Sequence, residues 1–188
     1  EFGNIDHNLQ FICGYNESLK VIDQLSSKVL TIGDSVKSHI SKIIDEHNID
    51  IIHQAIDLEA LSAIPNPKFA KPLRLLCMGA IKPSKGQLVA AEAVNNLPDD
   101  YRVTLDIQGP NADGAYLKML QEQTSSRVRI TPERYNIRDI LESHDVLLMC
   151  SENEALGRVT LEGLASGRPV VGYACPSTKE LLAEGRGL

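Results

Sequence analysis

The residue pattern predicts an α/β protein with a doubly wound parallel sheet. Two features carry that expectation. From Arg74 onward, β-rich apolar runs alternate with helical stretches, and parallel strands need such crossovers because tight hairpins cannot join them. The breaks between the runs hold turn formers: Pro98-Asp99-Asp100, Gly109-Pro110-Asn111, and Gly167 with Pro169. Glycine after a helix supplies a left-handed cap, and proline is tolerated as the first residue of a strand.

Taken in order, "RLLCMGA" (74–80) is a strand and "SKGQLVAAEAVNNL" (84–97) its crossover helix. "RVTLDIQG", "VRIT", "DVLLMCS" and "PVVGYAC" are the later strands, with "AYLKMLQEQT", "IRDILESH" and "GRVTLEGLAS" as the helices between them. Upstream, "KVLTIG" reads as a strand. "DSVKSHISKIIDEH" (34–47) reads as a helix with Val36, Ile40, Ile43 and Ile44 on one face and Asp34 or Ser35 as N-cap. That face is expected to pack on its own sheet rather than on a membrane surface. "IDIIHQ" is a short strand and "PNPKFAKP" (65–72) a proline-bearing linker, so the chain divides into 1–66 and 67–188.

Bulk properties narrow the function. A chain of 188 residues can bury one good core, or one core plus a piece of another. The formal charge of −6 and the 4% aromatic content exclude a nucleic-acid surface, which needs a basic stripe with stacking platforms. Purely apolar runs such as Val146 to Met149 fall far short of the roughly 20 residues of a membrane span, and no charged-then-apolar leader opens the chain. A cytoplasmic location is the resulting expectation. Cys13, Cys77, Cys150 and Cys175 form no C-x-x-C pair; reduced thiols, buried at Cys77 and Cys150, are expected, and no metal site is indicated. The opening Glu1-Phe2-Gly3 and the ending after a helix suggest a piece of something longer.

Two strand-to-helix loops carry unusual chemistry, in the place where open α/β sheets bind ligands. In "GAIKPSKG" (79–86), Lys85 stands near a helix start, where a cation is unfavourable unless an anion is present, and Lys82 adds a second charge. Backbone amides and two lysines together make a phosphate cradle; solvated surface lysines are the plainer alternative. No G-x-G-x-x-G or Walker loop is present. In "SENEALGRVTLEGLASGRPVV" (151–171), Gly157 opens the next helix, with Glu154 just before it and Glu162 about one and a half turns inside. The two carboxylates suit sugar hydroxyls, since each oxygen accepts hydrogen bonds. The competing reading is a solvated Glu154 and a Glu162 bonded to backbone or to Arg158. A glycosidase acid–base pair fits poorly with parallel topology and few aromatics.

These residues resemble a known family. "ENEALGRVTLEGLASGRPVV" carries E-x7-E from Glu154 to Glu162, the glycine between them, and the "A-x-G-x-P-V-V" that follows. The chain is similar to the C-terminal, donor-binding half of GT-B glycosyltransferases, most like the retaining family-four (group 1) enzymes, which would make the sheet Rossmann-like. "LLCMGAIKPSKG" looks like that family's glycine strand end and K-G loop, "LDIQGP" like its second strand, and "STKELL" like the stretch with its next glutamate, Glu180. "SKVLTIGDSVKSHI" and "IIHQAID" resemble the last elements of the acceptor-side domain and the connector, placing 1–66 there and the donor domain at 67–188.

The resemblance implies retaining transfer of a sugar from a nucleotide-diphosphate-sugar, with UDP or GDP as the nucleotide, to an acceptor hydroxyl. No obligatory metal or other cofactor is implied. Lys85 would bind the phosphates with help from Lys82, Gly79 and the amides near Gly157 and Arg158; Glu162 would hold the ribose and Glu154 face the donor sugar. Glu154 and Lys85 are thereby the catalytic candidates, and Arg134 with Tyr135 marks the expected base loop. A glycan, lipid-linked or protein acceptor would be read by the absent N-terminal domain, and peripheral membrane association of complete enzymes is common in the family.

Three departures stand out. Ala80 replaces the family's usual arginine, and Gln54-Ala55 replaces an asparagine-glycine pair in the connector. The acceptor-side domain is almost wholly missing, so the chain by itself is expected to transfer nothing. A nucleotide-sugar epimerase, or a non-catalytic interaction module lacking nucleotide affinity, are the alternatives.

Overall fold

The computed structural model describes residues 14–133 and 136–188. Five parallel strands form the main sheet: β3 (Leu73–Met78), β4 (Val103–Gln108), β5 (Val128–Thr131), β6 (Val146–Met149) and β7 (Val170–Gly172), in spatial order β5-β4-β3-β6-β7. The chain winds outward from β3 to β5, returns to lay β6 on the other side of β3, and continues to β7. Helices α4 (Gln87–Asn95) and α5 (Gly114–Glu122) pack on one face; α6 (Ile137–Glu142) and α7 (Arg158–Ala165) pack on the other. The Rossmann-like, doubly wound expectation therefore holds.

Strand composition follows from that coverage. β3 is buried on both faces: Leu75 and Cys77 meet the α4/α5 core, whereas Leu76 and Met78 meet the α6/α7 core. A strand covered twice reads as a continuous apolar run, as "LRLLCM" does. β4 alternates instead. Leu105 and Ile107 are fully buried under α4 and α5, while Thr104, Asp106 and Gln108 face a side that α6 leaves partly open.

Upstream lie α1 (Tyr15–Leu25), β1 (Val29–Thr31), α2 (Asp34–Ile40) and β2 (Ile49–Ile51). β1 and β2 pair in parallel, and Leu19, Val29, Ile40, Ile44 and Ile49 form a separate small core. The helix expected over 34–47 is shorter than its apolar pattern suggested. It stops at Ile40, and the Asp45 carboxylate accepts the His47 N–H at 3.0 Å to start a 3-10 turn at Glu46–Asn48. Such local side-chain bonding competes with helix continuation. Neither Asp34 nor Ser35 is the N-cap; Gly33 is, and it has no side chain with which to cap.

Helix α1 was not anticipated, nor was α3 (Leu58–Ser62), which Asp57 caps through the Ala60 N–H at 3.0 Å. Leu61 and Ile64 pack in the α6/α7 core of the main sheet. Helix α8 (Pro176–Leu182) follows β7 and packs against α2 and α7, joining the upstream unit to the sheet. Among the described residues no helix is long and apolar enough to cross a membrane.

Candidate functional site

The strand order reverses between β3 and β6, and the loops leaving these two neighbours open onto one crevice, the usual ligand position of a doubly wound sheet. The loop after β3 runs through Ala80 and Lys82 into a 3-10 turn, Pro83–Lys85, and then Gly86. Gly86 is left-handed (φ 65°), and a Cβ there would stand 2.1 Å from the Cys150 carbonyl oxygen, so only glycine lets this loop lie against the end of β6. That close approach delivers Lys85 to Glu154.

The Lys85 ammonium is hydrogen-bonded to the Glu154 carboxylate, and both side chains are largely buried, 21% and 12% exposed. One turn into α7, Glu162 Oε1 accepts from Arg158 Nε at 2.8 Å; Glu162 is 10% exposed and Arg158 57%. Burial pushes the Glu162 carboxyl above the ordinary carboxylate range, although the Arg158 guanidinium pulls the other way. The solvated Glu154 considered from sequence is thus corrected, while the Arg158 partner for Glu162 is what the structure contains. Lys82 forms no ion pair among the described residues.

Several amides of "GAIKPSKG" and of the α4 start have acceptors within the protein. Lys85 N–H donates to Lys82 O at 3.0 Å, Gly86 N–H to Pro83 O at 3.0 Å, and Leu88 N–H at the start of α4 to Tyr116 Oη at 3.0 Å. Helix α7 starts from left-handed Gly157 (φ 79°) with no side-chain cap, as α4 does from Gly86, whereas α5 and α6 are capped by Asp113 and Asn136. An uncapped helix start favours negative charge through its free amides and dipole. Gly79 ends β3 at φ 137°, its carbonyl 1.9 Å from where a Cβ on Gly109 would sit. Arg134 and Tyr135 lie outside the described residues.

Three residues that brace this site carried no site signal in the sequence. Cys175 is buried, with Sγ 3.1 Å from Thr178 Oγ1 and 3.5 Å from Ser177 Oγ, and it also accepts from the Glu154 backbone N–H. Burial raises its thiol pKa, but these donors outweigh that and lower it. Glu180, noted only for its motif, and Ser35 reach the site through contacts between distant segments. Cys77, Cys150 and Cys175 are free thiols. The neighbouring Cys150 side chain, together with burial, raises the Cys77 thiol well above its usual value, while Cys77 lowers the Cys150 thiol against the burial that raises it. No cluster of three or more potential metal ligands occurs among the described residues.

A five-stranded doubly wound sheet with paired cations and carboxylates beside its switch point places the chain in the Rossmann-like α/β class. Residues 72–188 match the family described as Glycosyl transferases group 1, and the chain belongs to it. It is 35% identical over 97 residues to the lipopolysaccharide core biosynthesis glycosyltransferase LpsE of Rhizobium meliloti (52% of this chain, 28% of that protein). It is 25% identical over 171 residues to the D-inositol 3-phosphate glycosyltransferase of Mycobacterium marinum (82% and 36%). The chain therefore spans about a third of these relatives' lengths. Among solved structures, HepE of Anabaena in complex with UDP and glucose superposes with a TM-score of 0.79 at 20% identity, covering 92% of this chain and 52% of that one. WaaG, a glycosyltransferase involved in lipopolysaccharide biosynthesis, gives 0.71 at 21% identity, covering 85% and 48%. The fold is that of the GT-B glycosyltransferases.

Proposed function

We propose that this chain is the donor-binding part of a glycosyltransferase that moves a sugar, with retention of configuration, from a nucleoside diphosphate sugar to an acceptor hydroxyl. The observation that carries the reading is the meeting of Lys85 and Glu154 across the β3/β6 crevice, beside the uncapped start of α7. UDP is the nucleotide we favour, because HepE, with the same fold, has been solved with UDP and with UDP-glucose. Acceptor selection falls to a part of the relatives that this chain does not span.

The ligand-free charges suggest how a donor is accepted. Two cations of the site are each held by a carboxylate: Lys85 by Glu154, Arg158 by Glu162. A diphosphate entering beside Gly157 competes for both cations and releases both carboxylates. Glu154 is then free to accept from sugar hydroxyls and Glu162 from ribose hydroxyls, so the phosphate and hydroxyl subsites fill together. As the bond from the anomeric carbon to the diphosphate breaks, negative charge grows on the leaving group, where Lys85, Arg158 and the α7 amides are preorganised to stabilise it. In this reading those groups stand where a metal would otherwise act.

Calorimetric titration of UDP, GDP, ADP and their sugar conjugates tests the proposal, with K85A and E162A as controls. Binding of one nucleotide, weakened in both variants, is the expected result; no binding of any nucleotide removes the donor-site reading for this chain.

A further inference from the structure

Helix α2 belongs to the upstream unit, yet its first turn is held by a residue of the main domain. Glu180, on α8, places Oε1 3.2 Å from the Asp34 N–H and Oε2 3.1 Å from the Ser35 N–H, so one carboxylate caps two successive amides across 145 residues of sequence. Gly33 permits this: a Cβ there would stand 3.2 Å from Glu180 Oε1. A carboxylate on helix-start amides replaces the side-chain cap that Gly33 cannot supply and is aided by the helix dipole. From the same turn, Ser35 Oγ donates to the Ala155 carbonyl at 3.4 Å, one residue beyond Glu154.

We propose that Glu180 is a positioning residue: by clamping α2 against the loop 150–157 it sets, through Ser35 and Ala155, where Glu154 stands over the donor sugar. The inference rests on the donor-site reading above for its functional meaning, but not for the clamp. Its consequence is specific. Glu154 faces the sugar and not the nucleotide, so loosening the clamp weakens recognition of the sugar part alone.

The test is titration of UDP and UDP-glucose into the chain and into E180A, E180Q and S35A. In E180A and S35A the affinity for UDP-glucose is expected to fall about fivefold relative to UDP, the size of one lost hydrogen bond. E180Q keeps one acceptor oxygen and is expected to recover part of the difference. Equal losses for the two ligands, or an unchanged ratio, would overturn the proposal. Amide exchange followed by NMR, without ligand, separates this from failure of the donor site. If the parent chain binds neither ligand, E180A must still speed exchange at Asp34, Ser35 and Glu154, and unchanged exchange at Glu154 sinks the clamp. Should E180A fail to fold, S35A, which removes only the link to Ala155, carries both readouts.

Discussion

The two ends of the sheet treat carboxylates in opposite ways. Toward the amino ends of the strands, the fully buried Asp145 accepts three hydrogen bonds from Arg74: backbone N–H at 3.0 Å, Nε at 3.0 Å and Nη2 at 2.8 Å. Asp106 nearby accepts from His144 Nε2 at 2.9 Å and from Nε and Nη2 of Arg129. At the carboxyl ends, Glu154 and Glu162 each have one side-chain partner among the described residues, Lys85 and Arg158. A carboxylate whose lone pairs are filled is an interlock, since removing it strands its donors. One with a single partner keeps accepting capacity for a ligand. Counting bonds, more than burial, separates the structural carboxylates from those of the candidate site.

The comparison is broken most severely at Asp145. D145N exchanges a bidentate charged partner for a neutral amide, and the expected loss is about 2–3 kcal/mol of unfolding free energy in urea, the scale of hydrogen bonds to charged groups. A loss below about 1 kcal/mol, within ordinary mutational scatter, would erase the contrast. K85A acts at the crevice instead: UDP affinity should drop by about 1.5–3 kcal/mol, as for a lost charge-assisted bond, and the urea midpoint should fall too, since Glu154 is left largely buried without its partner.

Glu162 sharpens the contrast through pH. Its carboxyl is raised in the folded state by burial, so the stability linked to it is present below the ordinary carboxylate range and is lost as pH rises through the raised value. E162Q should therefore leave the chain at neutral pH as stable as before, or more so, while weakening nucleotide binding about tenfold, near 1.4 kcal/mol. Asp106 and Asp145 have the opposite sign. Burial raises Asp106, but the bonds from His144 and Arg129 outweigh it, and Asp145 is lowered chiefly by Arg74. Their contribution is present above the ordinary aspartate value and disappears as pH falls through the lowered ones; D106N should flatten that acid limb by about 1 kcal/mol in a urea series across pH. The smallest effect expected is at Glu154: E154Q loosens the hold on Lys85, and UDP should bind about two- to threefold more tightly by calorimetry, about 0.4–0.7 kcal/mol.

Much of this was legible in the residues. The alternation after Arg74 located all five strands of the main sheet, because coverage by helices on both faces leaves a continuous apolar run and turn chemistry marks its ends. Helix α1 was missed in a polar stretch, "YNESLKVIDQL", whose single buried residue is Leu19. The helix at 34–47 was drawn too long because Ile43 and Ile44 keep its apolar period after the helix has ended at Ile40 and before Asp45 begins a 3-10 turn. At the site, Lys85, Glu154, Gly157 and Glu162 stood out as residues. What did not was the internal use of three amides, those of Lys85, Gly86 and Leu88, by Lys82, Pro83 and Tyr116.

The sequence by itself determined the class of fold, the order of strands and helices and the family, since periodicity, turn formers and the E-x7-E spacing are local properties of the chain. Only the tertiary structure decided which charge meets which. Lys85 and Glu154 lie 69 residues apart, and Glu180 and Ser35 lie 145 apart. Those meetings exist because β6 returns to the side of β3 and α8 packs on α2, and no residue's own preference records where the chain will bring its partner.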